Sequence, residues 1–241
     1  MGVNKAVKNL MTFINPSKEF GKDYESLVKI QIDNANLLGW KSEDVMLVTN
    51  FPYEYGGIKA IEVPDSCYFA HRKRGSKLTT ICYMFDNGLI ADECWFHDFD
   101  AHQLQPFAEG EPDLEGKDAG FTTYGLGDYL VYWNSGSFFF KPATRDIFNW
   151  MKHVMYRYNC NDEQALNILT RRNENNINSR YKMLNCTYNL CRLRNTVDTY
   201  NIAVKPIRVL HFHPKMQKVY NECKPLMSKE LLEIFEKHGY K

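Results

Sequence analysis

Over its first hundred residues the chain switches repeatedly between two hydrophobic periods, and this constrains the fold more than any other feature. A short apolar run at 10–15 ends at Asn15-Pro16, a turn signal. Residues 23–38 carry Tyr24, Leu27, Val28, Ile30, Ile32, Ala35 and Leu38 at helical spacing, with Gly39 as the stop. Residues 44–49 read as a buried strand, and 58–63 as an alternating strand ended by Pro64. A basic cluster, Arg72-Lys73-Arg74, precedes a helix over 76–86, and a strand follows at 94–97. Strand, helix, strand, strand, helix, strand predicts an α/β fold with a mostly parallel central sheet flanked by helices. Ligands in such sheets bind beyond the carboxyl ends of the strands. Asp98 and Asp100 fall at such an end.

The second half has a different texture. Residues 109–116 are acidic, contain Pro and Gly, and read as a loop. Residues 118–123 and 137–141 read as strands, with Gly125-Leu126-Gly127 as a turn between them. Residues 144–158 form an amphipathic pattern with Ile147, Trp150, Met151, Val154 and Met155 on one side. A second helix starts at 162, with Asp162 as its cap. Residues 171–178 are polar and read as exposed. Residues 207–213 form an apolar strand ending in His211 and His213, and 228–238 a terminal helix capped by Ser228 and stopped by Gly239. No repeat, low-complexity tract or linker divides the chain, so one domain over 1–241 is expected.

Composition removes several classes. With 30 basic and 29 acidic residues, no global field draws the chain to nucleic acid or membrane. No apolar run approaches the roughly 20 residues of a membrane helix. The first residues lack the apolar stretch of a signal peptide. The seven cysteines are scattered without a Cys-x-x-Cys pair and read as reduced thiols of a cytoplasmic protein. Cys186 and Cys191 lack the second ligand pair that zinc would require.

The chemistry concentrates at Cys94-Trp95-Phe96-His97-Asp98-Phe99-Asp100. Two carboxylates two positions apart in extended chain point the same way. Together they make a hard, doubly negative oxygen site suited to Mg²⁺ or Mn²⁺, cations that typically hold a diphosphate. Read alone, Asp-x-Asp more often marks a solvated turn. Its company decides otherwise: Gly75-Ser76-Lys77-Leu78 before it, then Trp133-Asn134-Ser135-Gly136-Ser137-Phe138-Phe139-Phe140, Asp162-Glu163-Gln164-Ala165-Leu166-Asn167 and Val209-Leu210-His211-Phe212-His213-Pro214. In this order the motifs resemble those of nucleotide-sugar glycosyltransferases of the GT-A fold, most of all the glycogenin-like and galactosyltransferase-like enzymes. The resemblance departs after the histidine, where Pro214-Lys215-Met216 stands in place of a Gly and a Lys-Pro pair.

The resemblance implies a single GT-A-type, Rossmann-like domain. Residues 1–100 would be its nucleotide-sugar-binding half and 101–241 its acceptor-side half. It implies a sugar transfer from a nucleotide-diphosphate sugar, UDP-linked, to a hydroxyl, with Mn²⁺ or Mg²⁺ at the diphosphate. Asp98, Asp100 and His211 would be the metal ligands; His213, two residues on, shares that face and competes for the third place. Lys77 would reach the diphosphate, and Asn15 would face the base. Asn134 and Asp162 would contact the transferred sugar as catalytic residues, and Gly136 would let substrate approach the backbone. Each has a plainer reading beside it: a core histidine, a solvated lysine, an Asn turn, an N-cap. His97 precedes the aspartates and should point the other way, as a structural group or as support for the metal ligands.

The acceptor expected first is a hydroxymethylated base of duplex DNA, with a glycan or a protein as the alternative. The Asn-, Lys-, Tyr- and Phe-rich, AT-type coding composition and the basic residues Arg72, Lys73, Arg74, Arg171 and Arg172 suit a viral (phage) DNA-modifying member working in a host cytoplasm. Two other classes compete. A nucleotidyltransferase would carry a Gly-rich basic loop after the first strand, which Asn15-Pro16-Ser17-Lys18 does not supply. A non-catalytic carbohydrate- or nucleic-acid-binding module would not need Asp98, Asp100 and His211 intact.

Overall fold

The computed structural model describes residues 7–124, 133–191, 196–212 and 216–240. The expected turn at Gly125-Leu126-Gly127, and His213, lie outside the described residues. The chain opens with β1 (Lys8–Phe13), α1 (Lys22–Leu37), β2 (Val45–Thr49), a small hairpin β3 (Glu54–Tyr55) and β4 (Ile58–Lys59), and β5 (Ile61–Glu62). It continues through α2 (Ser76–Asp86), β6 (Cys94–His97), β7 (Ala101–Gln103), β8 (Ala119–Thr123) and β9 (Trp133–Phe140). Then follow α3 (Arg145–Tyr158), α4 (Asp162–Arg172), β10 (Tyr181–Leu184), β11 (Leu190–Cys191), α5 (Thr196–Ile202), β12 (Val209–His211), α6 (Met216–Cys223) and α7 (Lys229–Lys237).

The central sheet has seven strands in the order β10-β8-β9-β6-β1-β2-β5. All neighbours run parallel except β9, which is antiparallel to both β6 and β8. The sheet is therefore mostly parallel and flanked by helices, as the alternation predicts. The single strand expected at 58–63 is split in two. Ile58 and Lys59 pair back onto β3, while Ile61 and Glu62 join the main sheet beside β2.

Packing explains the patterning of the strands. Phe138 and Phe140 enter one core with α2, α3 and α4, while Phe139 points to the opposite face beside Trp95. A second small sheet, β11-β12-β7, covers that opposite face. Helix α1 is buried on more than one side, its Leu27, Val28 and Ile32 against the main sheet and its Ile30 toward the core around α6 and α7. All seven cysteines are buried free thiols. Among the described residues, no helix is long and apolar enough to cross a membrane.

Candidate functional site

The site is built where β6 ends. The chain does not continue extended through Asp98 and Asp100. Ala101 N–H donates to the Asp98 carbonyl at 3.0 Å, closing a turn over residues 98–101, with Phe99 buried as its anchor. The two carboxylates are therefore gathered by a turn and not by strand alternation. Gln31 of α1 holds the turn from behind: its Nε2 donates to the carbonyls of Phe99 at 2.7 Å and Ala101 at 3.0 Å.

Past the turn, β7 pairs antiparallel with β12, and the register sets Ala101 opposite His211. Phe212 N–H donates to the Asp100 carbonyl at 2.8 Å. This ladder delivers a histidine over a hundred residues away in sequence to the aspartates. One ligand atom from each of Asp98, Asp100 and His211 lies within 4.8 Å of the others. His211 Nε2 faces Asp100 Oδ1 at 3.3 Å, and its Nδ1 lies 3.1 Å from Asn189 Oδ1.

Strand β9 supplies the third wall. Its register against β8 jumps from Phe121↔Phe138 to Thr122↔Asn134, so Ser135, Gly136 and Ser137 bulge out of that pairing. Bulges of this kind re-aim backbone and side chains at a site. Here the Gly136 carbonyl accepts from Asp98 N–H at 2.9 Å. A Cβ on Gly136 would lie 2.1 Å from Cε1 of His211. The bare face of Gly136 is thus filled by the His211 ring, and the close approach expected from substrate is made by the protein itself. Asn134 Oδ1 accepts from Gly136 N–H at 3.0 Å, which fixes the amide, and its buried Nδ2 has no partner among the described residues.

Lys77, in the first turn of α2, joins the walls. Its Nζ lies 3.3 Å from Asp98 Oδ1, 3.2 Å from Asp162 Oδ2, 3.0 Å from the Ser135 carbonyl and 2.9 Å from Ser135 Oγ. Burial works against its charge, but Asp162 and Asp98 more than compensate and hold its pKa well above the ordinary lysine range. Asp162 is nearly fully buried yet does not cap α4. Asn161 does, accepting from Gln164 N–H at 2.8 Å while Gln164 reaches back to it. That capping box satisfies the helix end and leaves Asp162 to meet Lys77.

The acidic members feel the cleft. Desolvation, reinforced by Asp100, pushes the Asp98 carboxyl up, with Lys77 opposing. For His211, burial opposes charging, but Asp100 prevails and the pKa rises. Asp98, Asp100 and His211 gather two carboxylates and one imidazole within 4.8 Å of one another. Two hard carboxylate oxygens and an imidazole nitrogen fit Mn²⁺ or Mg²⁺, with the nitrogen suiting Mn²⁺ somewhat better.

Of the residues singled out in sequence, Lys77, Asp98, Asp100, Asn134, Asp162 and His211 line one site. Asn15 lies beyond the carboxyl end of β1, at the same end of the parallel strands. Its side-chain Nδ2 is spent on Ser17 Oγ at 2.6 Å and the Glu19 carbonyl at 2.8 Å. His97 is buried with Nε2 2.7 Å from Asn9 Oδ1 and its ring stacked on Trp95, the structural role expected. Burial holds its pKa down at about 4. Three contributors were missed. Gln31 and Asn189 carry no motif, only polarity in otherwise apolar surroundings. Glu163 accepts from Ser135 N–H at 3.0 Å and Tyr124 Oη at 2.9 Å, and burial pushes its carboxyl up.

No protein-family model matches the sequence, and no curated protein matches it. Solved structures do. The galactosyltransferase LgtC, solved with donor and acceptor sugar analogs, superposes with a TM-score of 0.59 at 12% identity, covering 96% of each chain. The fold is that of the GT-A glycosyltransferases. A glycosyltransferase involved in glycosylation of the major capsid of PBCV-1 gives 0.55 at 10% identity, over 90% of this chain and 98% of that one. Mouse xyloside xylosyltransferase 1 gives 0.52 at 13%, over 87% and 98%.

Proposed function

We propose that this chain is a metal-dependent glycosyltransferase that moves a sugar from a nucleotide-diphosphate sugar, UDP-linked, to a hydroxyl acceptor. The observation that carries the reading is the convergence of Asp98 and Asp100, from the turn after β6, with His211 of β12 within 4.8 Å. The donor would lie beyond the carboxyl ends of β1 and β6, with residues 1–100 as its binding half and 101–241 facing the acceptor.

Asp98, Asp100 and His211 would hold Mn²⁺ or Mg²⁺. When bound, such an ion supplies charge stabilisation for the departing nucleoside diphosphate. Lys77 places a buried positive charge beside it and ties Asp98 to Asp162. Asp162 and the unpartnered Nδ2 of Asn134 would face the transferred sugar, where an acceptor and a donor fixed by their surroundings would orient its hydroxyls. Asn15 would shape the loop beside the base and not bond it, since its side-chain amide is committed to the turn at 15–19 and its backbone N–H and carbonyl to Asn50 at 2.8 and 2.9 Å.

A sugar hydroxyl of a glycan is the acceptor we favour. The residues on which the duplex-DNA reading rests are partly drawn into contacts within the chain. Arg72 Nε donates to the Asn159 carbonyl at 3.0 Å, and Arg172 pairs with Glu174 at 3.3 Å.

The test is donor binding and turnover. UDP-sugars should raise the melting temperature only with Mn²⁺ or Mg²⁺ present, since a ligand of the native state stabilises it. Asp98→Asn and Asp100→Asn should abolish that shift and lower turnover by orders of magnitude. Glycosides and hydroxymethylated duplex DNA offered side by side decide the acceptor. Donor turnover undiminished in chelator, or in both variants, would overturn the reading.

A further inference from the structure

Beyond its three candidate ligands, the site contains a device that fixes which nitrogen of His211 bears the proton. Asn189 is 1% exposed and stands between the short turn at Cys186–Tyr188 and β11. Strand β11 pairs parallel with β12, Cys191 opposite His211, so Asn189 sits beside the imidazole on the side away from Asp100.

The orientation of the Asn189 amide is set by its neighbours. Nδ2 lies 2.8 Å from Thr122 Oγ1, 3.2 Å from the Asn134 carbonyl and 3.4 Å from the Ser137 carbonyl. Thr122 Oγ1 itself lies 3.2 Å from both of those carbonyls, so its hydroxyl donates there and accepts from Asn189. Flipping the amide would set Oδ1 against two carbonyl oxygens that can only accept. Oδ1 must therefore be the atom facing His211, at 3.1 Å from Nδ1. An oxygen acceptor at that place requires a proton on Nδ1. Neutral imidazole carries one proton, so the Nε2 lone pair is left pointing at Asp100 and Asp98.

We propose that Asn189 is a positioning residue: it holds His211 as the Nδ1–H tautomer, so that Nε2 can bind a cation instead of donating a hydrogen bond to Asp100. In the other tautomer Nε2–H would satisfy Asp100 at the present 3.3 Å. A metal could then enter only by displacing a proton and breaking that bond. The carbonyls of Asn134 and Ser137, at the two ends of the bulge, thus act at a distance. They orient Asn189, Asn189 orients the proton, and the proton's place readies the ligand. Groups that set ligand tautomer in this way typically change metal affinity 10–100-fold when removed.

The inference rests on the metal reading above, and the experiment separates the two. Mn²⁺ affinity of the metal-free protein is measured by calorimetry without nucleotide. The His211 tautomer is read by ¹⁵N NMR of the metal-free protein at alkaline pH, with His211→Gln identifying its signals. Wild type should show Nδ1–H. Asn189→Leu, which removes both hydrogen-bonding ends, should shift His211 to Nε2–H and weaken Mn²⁺ 10–100-fold. Asn189→Asp keeps an acceptor for Nδ1 but sets an oxygen against the two carbonyls. It should melt lower than wild type yet keep Nδ1–H and bind Mn²⁺ at least nearly as well.

A purely structural role would make affinity follow stability across the variants. Nε2–H in wild type, unchanged affinity in Asn189→Leu, or equal losses in the Leu and Asp variants would overturn the inference. A folded wild type that shows Nδ1–H but binds no Mn²⁺ overturns the metal reading instead.

Discussion

Gly136 shows how a single missing side chain builds the site. The sequence marks it as a place where something approaches the backbone, and substrate was the expected visitor. The structure puts the His211 ring there, with a hypothetical Cβ 2.1 Å from Cε1 and 2.4 Å from Nδ1. The backbone cannot retreat easily, because the Gly136 carbonyl and amide are bonded to Asp98 N–H and Asn134 Oδ1. In Gly136→Ala the imidazole must therefore move. Overpacking of this kind costs about 1–3 kcal/mol. Its more telling effect should be on the ligand set, with Mn²⁺ affinity falling by at least about tenfold as Nε2 leaves the carboxylates. Calorimetry with Mn²⁺, beside urea unfolding to confirm the fold, checks this. An alanine variant that binds metal as tightly as wild type would show that His211 does not act from this position.

The strands and helices differ in how far the sequence betrays them. Helix α2 runs from Ser76 to Asp86 as its sequence predicts, and β6 likewise ends at His97. The small sheet is less legible. Val209–His211 falls inside the apolar strand expected over 207–213, but Ala101–Gln103 and Leu190–Cys191 are too short to display a period, and the three pair across long stretches of chain. The bulge in β9 is equally hidden, since slippage of Ser135 to Ser137 depends on what β8 offers opposite. Asp98 and Asp100 are legible only as a carboxylate pair at a strand end, and His211 enters through the resemblance; the register that brings the three together could not be read. Helix α1 illustrates the same gap. Its apolar face was plain, but Gln31 looked like an ordinary polar position. It is buried, and donates to the Phe99 and Ala101 carbonyls that shape the aspartate turn. Gln31→Leu withdraws that donor from both. We expect a loss of about 2 kcal/mol, or roughly 4–8 °C in melting temperature for a chain of this length, together with weaker Mn²⁺ binding. Retained stability and affinity would mean that the turn is held by Phe99 alone.

The molecule closes over its small sheet through one carboxylate. Glu111 lies in the loop between β7 and β8 and gathers groups from two other places and from its own loop. Arg208 Nε donates to Oε1 at 2.9 Å while Arg208 Nη2 sits 2.7 Å from Oε2, a two-pronged pair that is largely shielded from solvent. Tyr188 Oη donates to Oε1 at 2.7 Å, and Ala108 N–H to Oε2 at 2.8 Å. The clamp thus joins the loop, the approach to β12 and the turn before Asn189. Burial alone would raise the Glu111 pKa, but the donated bonds outweigh it and the folded pKa lies below the ordinary 4.5. The sign follows. A carboxyl that is more acidic in the folded chain contributes stability above the unfolded value and loses it as pH falls through the folded one. Glu111→Gln removes the charge and one acceptor, and should cost about 2 kcal/mol at neutral pH. Other groups also titrate in acid, so the informative quantity is the difference between the two proteins. Urea unfolding of wild type and Glu111→Gln in parallel should give a constant gap above about pH 5, where the free carboxyl is already charged. The gap should narrow once pH drops below about 4 and close as Glu111 takes its proton in the folded chain. A gap that stays level down to pH 3 would mean that the clamp works through shape and neutral hydrogen bonds, without its charge.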